Sequence, residues 1–216
     1  RRILVDYGRS FRAAKAAALP LLTGLALAPV AAIAQPGLVY EPATDPVLHA
    51  AEIDNPGFPA SLTKMMTAYV VFEAVKQGKL DWAADVPISE YARGQPATRL
   101  NLRLGIPVTV EQAVHGLILR SANDLAVALA EVVSGSEEAF VERMNATAQR
   151  LGMSRSKFAN PNGLPGGDQV TTARDMAILA AAIARDFPDR MPVFSAPLIR
   201  IHKGAFANQN DLLVTL

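Results

Sequence analysis

The sequence contains no cysteine and only three histidines, His49, His115 and His202, widely separated along the chain. Disulfide bridges and thiolate chemistry are excluded, and no histidines fall at metal-ligand spacing. Aromatic residues make up only 6% of the chain. Gly-x-Ser-x-Gly, His-Glu-x-x-His, a phosphate-binding glycine-rich loop and Gly-x-Gly-x-x-Gly are all absent. These absences remove the common esterase, zinc-peptidase, nucleotide-triphosphate and dinucleotide readings. An uninterrupted membrane-spanning run is also lacking. The apolar stretch from Ala16 to Ala28 is broken by Pro20, Thr23 and Gly24, whereas a span needs about 20 apolar residues.

What stands at the N-terminus is a leader pattern. Arg1, Arg2, Arg9, Arg12 and Lys15 precede the apolar stretch, and Ala32-Ile33-Ala34 follows with small-x-small spacing. This reads as a secretory signal peptide over 1–34, cleaved after Ala34, with a membrane anchor as the alternative. The expected location is the periplasm. The segment holds five of the 21 basic and one of the 20 acidic residues, leaving 16 and 19 and a net charge of −3. With no basic patch and few aromatics, a nucleic-acid partner is not expected. Residues 35–216 suffice for one domain with its own core.

Short apolar runs at Leu38-Val39-Tyr40 and Val47-Leu48-His49 flank Pro42 to Pro46 and predict a hairpin. Asn55-Pro56-Gly57 predicts a turn. Residues 61–77 predict a helix with Leu62, Met65, Met66, Tyr69 and Phe72 on one face, stopped by Gly78. Thr109 to Leu119 is a second helix, with Thr109 and Gln112 as a capping box. Arg120-Ser121-Ala122-Asn123 breaks it, and a largely apolar helix resumes from Asp124 to Val133. Ser136 caps a helix running to Gly152, and Thr172 one running to about Arg185. Asn160 to Gly167 is a long turn region, and Val193 to Ile201 a strand. Helices fill the middle and strands sit at the two ends. The expected class is α+β, with an antiparallel sheet assembled from both ends of the chain.

The chemistry centres on Pro59-Ala60-Ser61-Leu62-Thr63-Lys64. Residues three apart share one helix face, so a Ser61 hydroxyl and a Lys64 amine can meet. A serine hydroxyl needs a base to become a nucleophile, and a lysine with a lowered pKa can serve. The alternative is a plain N-cap with a surface lysine. Ser-x-x-Lys alone is not specific, because Ser154-Arg155-Ser156-Lys157 matches it too. That copy follows a helix stop with no helix of its own, so Ser154 and Lys157 are read as solvated loop residues. Ser121-Ala122-Asn123 adds a second hydroxyl and an amide suited to proton transfer and to holding a substrate or lysine. Taken alone, it reads rather as a corner between helices, with Asn123 or Asp124 as N-cap.

In combination these motifs resemble the penicillin-recognising serine enzymes. The stretches Pro59 to Tyr69, Leu117 to Asp124 and Phe158-Ala159-Asn160-Pro161-Asn162-Gly163-Leu164-Pro165 resemble the low-molecular-mass D-alanyl-D-alanine carboxypeptidases, a likeness running from about Leu38 to Leu213. The resemblance implies a β-lactamase/DD-peptidase-like fold and an acyl-enzyme mechanism without metal or cofactor. It implies Ser61 as nucleophile, Lys64 as its base, Ser121 as proton donor to the leaving group and Asn123 as substrate-binding residue. The implied partners are peptidoglycan stem peptides ending in D-Ala-D-Ala and β-lactam antibiotics. A class A β-lactamase would need a deacylating glutamate in its own motif. Glu137, Glu138 and Glu142 instead lie in an ordinary amphipathic helix, and Glu142-Arg143-Met144-Asn145 is shorter than that motif.

One departure stands out. The family's Lys-Thr-Gly or Lys-Ser-Gly element is absent, and Lys203-Gly204 comes closest to it. The stretch Asn208 to Leu213 resembles what precedes that element in the family. The chain is therefore expected to stop short of it, to lack one wall of the cleft, and to be inactive when expressed alone. A non-catalytic fragment that binds wall peptide or a partner is the competing reading. The family's further C-terminal domain and membrane anchor have no counterpart here, so peripheral membrane association is expected only through such a missing anchor.

Overall fold

The structure, a computed structural model, describes residues 36–40 and 47–210. The leader segment 1–34, the hairpin turn from Pro42 to Pro46 and the end of the stretch from Asn208 to Leu213 lie outside the described residues. The α+β class holds. Strand β1 (Gly37–Tyr40) pairs antiparallel with β2 (Val47–Ala51), with Val39 opposite His49. A 3-10 turn (Ala60–Leu62) leads into α1 (Thr63–Lys76). Then follow β3 (Asp85–Val86), α2 (Glu90–Arg93), β4 (Val108–Thr109), α3 (Val110–Arg120), α4 (Asn123–Ser134), α5 (Glu137–Leu151) and α6 (Ala173–Asp186). A 3-10 segment (Pro188–Ser195) and the ribbon β5 (Leu198–Ile201) and β6 (Gly204–Ala207) close the described chain.

Two expectations about the strands change. Val193 to Ser195 belong to the 3-10 segment rather than to a strand, which starts only at Leu198. Pro188 and Pro192 each lack an N–H, and Pro197 stands just before the strand, so extended pairing begins after them. Strands are also not confined to the chain ends, because β3 pairs with β4 in mid-chain. Two residues in each strand are too few for an alternation to register. Among the described residues the end ribbons β1–β2 and β5–β6 are not hydrogen-bonded to each other. Val39, Val47 and Leu48 are exposed on the first ribbon.

The core is built around α1. Met66, Ala68, Tyr69, Val70, Val71, Phe72 and Ala74 are all buried, so the helix is enclosed on nearly every side by α3, α4, α5 and α6. A helix apolar all round belongs in an interior. The stripe expected from Leu62 to Phe72 is therefore too narrow, and its first member, Leu62, is exposed. Helix α4 is equally enclosed from Asn123 to Ala130. Gly116 lets α3 approach it, since a Cβ there would lie 2.3 Å from the Leu125 side chain.

Helix ends follow the sequence closely. Thr109 and Gln112 form the reciprocal capping box of α3. Ser136 and Thr172 cap α5 and α6 through their hydroxyls. Buried Asp175, in the first turn of α6, accepts hydrogen bonds from the Arg155 N–H and the Ser156 hydroxyl. The loop from 157 to 171 is pinned at two isolated bridges, Lys157 with Val170 and Gly57 with Thr171. The second fixes the chain just ahead of the 3-10 turn that carries Ser61. The last ribbon lies along α3, where Arg120 donates to the Ala207 carbonyl and Gln112 to that of Arg200.

Candidate active site

Three segments distant in sequence meet at the N-terminal end of α1. The 3-10 turn presents Ser61 at the surface, and one turn later Lys64 is only 5% exposed. Lys64 Nζ lies 3.4 Å from Ser61 Oγ. From the α3–α4 junction, Ser121 Oγ donates to Ser61 Oγ at 3.0 Å. The alternative of a plain cap fails on two counts: Ser61 makes no capping bond to α1, and Lys64 is buried. The Ser154–Lys157 copy behaves as a solvated loop, with both side chains exposed and Lys157 3.6 Å from exposed Asp168.

The backbone is strained at both hydroxyls. Ala60, immediately before Ser61, has φ +47, and Ser121 itself has φ +53. Left-handed backbone at non-glycine residues is unfavourable unless the surroundings enforce it, and it concentrates at functional sites. Ser121 terminates α3 in this conformation, and Ala122 returns to extended backbone to start α4. The expected corner is thus present, and it aims the second hydroxyl at the first.

Lys64 is held from the opposite side by main chain. Its ammonium donates to the Asn162 carbonyl at 2.5 Å, and Thr67, one turn along, donates to the Pro161 carbonyl at 2.6 Å. Gly163 makes this approach possible. A Cβ there would fall 1.9 Å from the Ala60 carbonyl oxygen, and its φ of +75 suits glycine. Burial pushes the Lys64 amine down from its ordinary 10.5 to about 8. Roughly a tenth of such an amine is neutral at pH 7. No acidic residue stands in the first turn of α1, so its positive end remains free to favour negative charge near Ser61.

Asn123 sits at the start of α4 and is buried. Its side-chain N–H donates to the Pro96 carbonyl at 3.0 Å, so it is bound to the 95–99 loop and makes no bond to Lys64. Asp124 is not a cap either. Its carboxylate accepts from the Leu100, Asn101 and Leu125 N–H groups, although burial raises its pKa. Sequence reasoning named the stretch holding Asn162 and Gly163 but gave neither residue a part, because those parts are played by a carbonyl and a missing Cβ. An Asn-Pro-Asn-Gly run in a loop next to a Ser-x-x-Lys helix was the available signal.

Phe58, Leu62, Met65, Leu117, Ile118 and Phe194 surround these polar groups in a cleft of roughly 690 Å³. The two apolar residues that begin the α1 stripe, Leu62 and Met65, thus line the cleft, and Met65 also packs against the core. An accessible hydroxyl, a buried amine of lowered pKa and a second hydroxyl within hydrogen-bond reach form the arrangement needed for acyl transfer to serine. Among the described residues no group of three His, Asp or Glu side chains is placed to hold a metal.

Site and fold fit the class of serine acyl-transfer enzymes. The sequence pattern of the family described as D-alanyl-D-alanine carboxypeptidase matches residues 26–216, and the chain belongs to that family. It is 42% identical over 170 residues to D-alanyl-D-alanine carboxypeptidase DacA of Haemophilus influenzae, covering 77% of this chain and 43% of the relative. The crystal structure of penicillin binding protein 5 from Haemophilus influenzae superposes with a TM-score of 0.78 at 39% identity, covering 82% of this chain and 53% of that one. Penicillin-binding protein D2 from Listeria monocytogenes, solved in a cefotaxime-bound form, gives 0.73 at 28% identity, covering 83% of this chain and 73% of that one. The chain thus spans less than half the length of the DacA relative. No helix among the described residues is long and apolar enough to cross a membrane.

Proposed function

We propose that this protein is a serine-type D-Ala-D-Ala carboxypeptidase that removes the terminal D-alanine from peptidoglycan stem peptides. The observation that carries the reading is the Ser61–Lys64–Ser121 cluster at the mouth of the cleft. Neutral Lys64 takes the Ser61 proton as Oγ attacks the carbonyl between the two D-alanines. Ser121, in hydrogen-bond contact with Ser61, gives its proton to the departing amine and regains one from the protonated Lys64. Free D-alanine leaves, and water then hydrolyses the ester on Ser61. Asn123 borders the substrate from the start of α4.

The same attack on a β-lactam opens the ring without releasing its amine, so the adduct persists and the protein is penicillin-sensitive. Family membership supports this reading, as does the cefotaxime-bound relative. A β-lactamase is disfavoured because Glu142 lies in α5, an ordinary helix whose Asn145 is spent bonding Val141 and Phe158. The leader pattern supports export to the periplasm with cleavage after Ala34, which N-terminal sequencing of the protein from cells would test.

A second reading rests on the absence of Lys-Thr-Gly and Lys-Ser-Gly from the 216 residues. In that reading the protein binds wall peptide or a partner without turnover. The experiment is to incubate the protein at its natural length with a peptide ending in D-Ala-D-Ala and with fluorescent penicillin. Released D-alanine and an adduct that disappears in Ser61→Ala support the carboxypeptidase. Peptide binding with neither product overturns it in favour of the second reading.

A further inference from the structure

The carbonyl that accepts from Lys64 belongs to a loop residue, and a loop peptide needs something to hold it. Asn162 is only 3% exposed, and its side chain donates to Gln95 Oε1 at 3.0 Å from 67 positions away. Both amides are oriented by independent contacts. Asn162 Oδ1 accepts from the Leu164 N–H, which leaves its nitrogen to face Gln95. Gln95 Nε2 donates to the Tyr91 carbonyl, which leaves its oxygen to face Asn162. Gln95 is itself buried at 9% exposure, and its own carbonyl accepts from Arg99 at 2.7 Å. The next carbonyl, that of Pro96, accepts from Asn123. One buried chain of hydrogen bonds therefore runs from Lys64 through Asn162 and Gln95–Pro96 to Asn123.

We infer that Gln95 is a positioning residue for acyl transfer, fixing the Asn162 peptide so that its carbonyl aims Lys64 at Ser61. Gln95 touches neither Lys64 nor Ser61, and acts through Asn162. The two bonds to Gln95 and Leu164 turn a loop peptide into a rigid acceptor, and Gly163 lets that peptide lie against the 3-10 turn. A small displacement of a base from its nucleophile slows the reaction far more than it weakens ligand binding. Gln95 therefore bears on the acylation rate rather than on affinity. The inference rests on the acyl-transfer reading given above.

The test is stopped-flow acylation of the natural-length protein by a chromogenic β-lactam, separating the acylation rate constant from the pre-acylation dissociation constant. Gln95→Met keeps the volume and removes the acceptor. It should lower the acylation rate about tenfold, the equivalent of one buried hydrogen bond, with the dissociation constant within about twofold of wild type. Asn162→Ala, which retains the backbone carbonyl but loses the bonds to both Gln95 and Leu164, should lower the rate by at least as much. The double variant should be no slower than Asn162→Ala alone, because that substitution already cuts the Gln95 link. An unchanged acylation rate in a folded Gln95→Met protein overturns the inference, as does a multiplicative double variant. Should Gln95→Met fail to fold, Asn162→Ala reads the same link from its other end. Wild-type protein that forms no adduct on Ser61 is a different result, and it refutes the acyl-transfer reading itself.

Discussion

Ser121 Oγ donates a hydrogen bond to Ser61 Oγ across 3.0 Å, although the two residues are 60 positions apart. Neither hydroxyl is in relaxed surroundings: Ser121 and the residue before Ser61 both have left-handed backbone. Two helix ends are thus bent so that their hydroxyls meet beside a buried amine. A contact assembled at both ends by unfavourable conformations is maintained by the packing around it.

Removing the Ser121 hydroxyl should separate proton delivery from attack. Ser121→Ala is expected to retain a Ser61 adduct with penicillin but to release D-alanine about 10²–10⁴-fold more slowly, the usual range for a positioned acid or base. Intact-protein mass spectrometry reads the adduct, and a coupled D-alanine assay reads turnover. Turnover within a few-fold of wild type would remove Ser121 from the mechanism.

The pH dependence follows from Lys64. Its folded pKa of about 8 lies below the ordinary 10.5, through burial. The reactive form is the neutral amine, so acylation by a β-lactam should rise with pH and reach half its plateau near pH 8. The linked stability has the same sign. The unfolded chain binds the proton more tightly than the folded one, so stability from this group grows as pH rises from about 8 towards 10.5 and is absent below that window. A pH-independent acylation rate between pH 6 and 9 would contradict this assignment.

Gly163→Ala should disturb both fold and chemistry. The added Cβ would overlap the Ala60 carbonyl, and alanine is disfavoured at φ +75. A loss of about 1–3 kcal/mol in urea unfolding is expected. The acylation rate should fall as well, because Ala60 carries the turn that presents Ser61.

The second Ser-x-x-Lys copy provides the matching control. Lys157 contributes its backbone to a bridge with Val170, while its side chain stays exposed. Lys157→Ala should leave penicillin labelling unchanged and alter stability by less than about 0.5 kcal/mol. Loss of labelling would mean that the two copies had been assigned the wrong way round.

Most of the helices were legible because their ends are written in side chains. Thr109 with Gln112, Ser136 and Thr172 cap where their sequence says they should. The pairing of Ser61 with Lys64 was legible for the same reason, since it spans one turn. The reach of Ser121 to Ser61 required an analogy, because no local rule connects residues 60 apart. What escaped was carried by the backbone. The Asn162 carbonyl, the space at Gly163 and the two-residue strands β3 and β4 leave no periodicity to read. The sequence marks Asn123 as a contact for substrate or lysine, and in the folded chain one of its two side-chain N–H groups bonds the Pro96 carbonyl.

The acceptor opposite Lys64 is a peptide oxygen, and every amino acid at position 162 would supply one. Genetic change at that position therefore cannot delete the contact outright, as it can at Ser61 or Ser121. Fragility is displaced to the neighbours that set the peptide's angle. A screen for loss of penicillin labelling should accordingly recover hits at Gly163, where no bulk is accommodated, more often than at Asn162 itself.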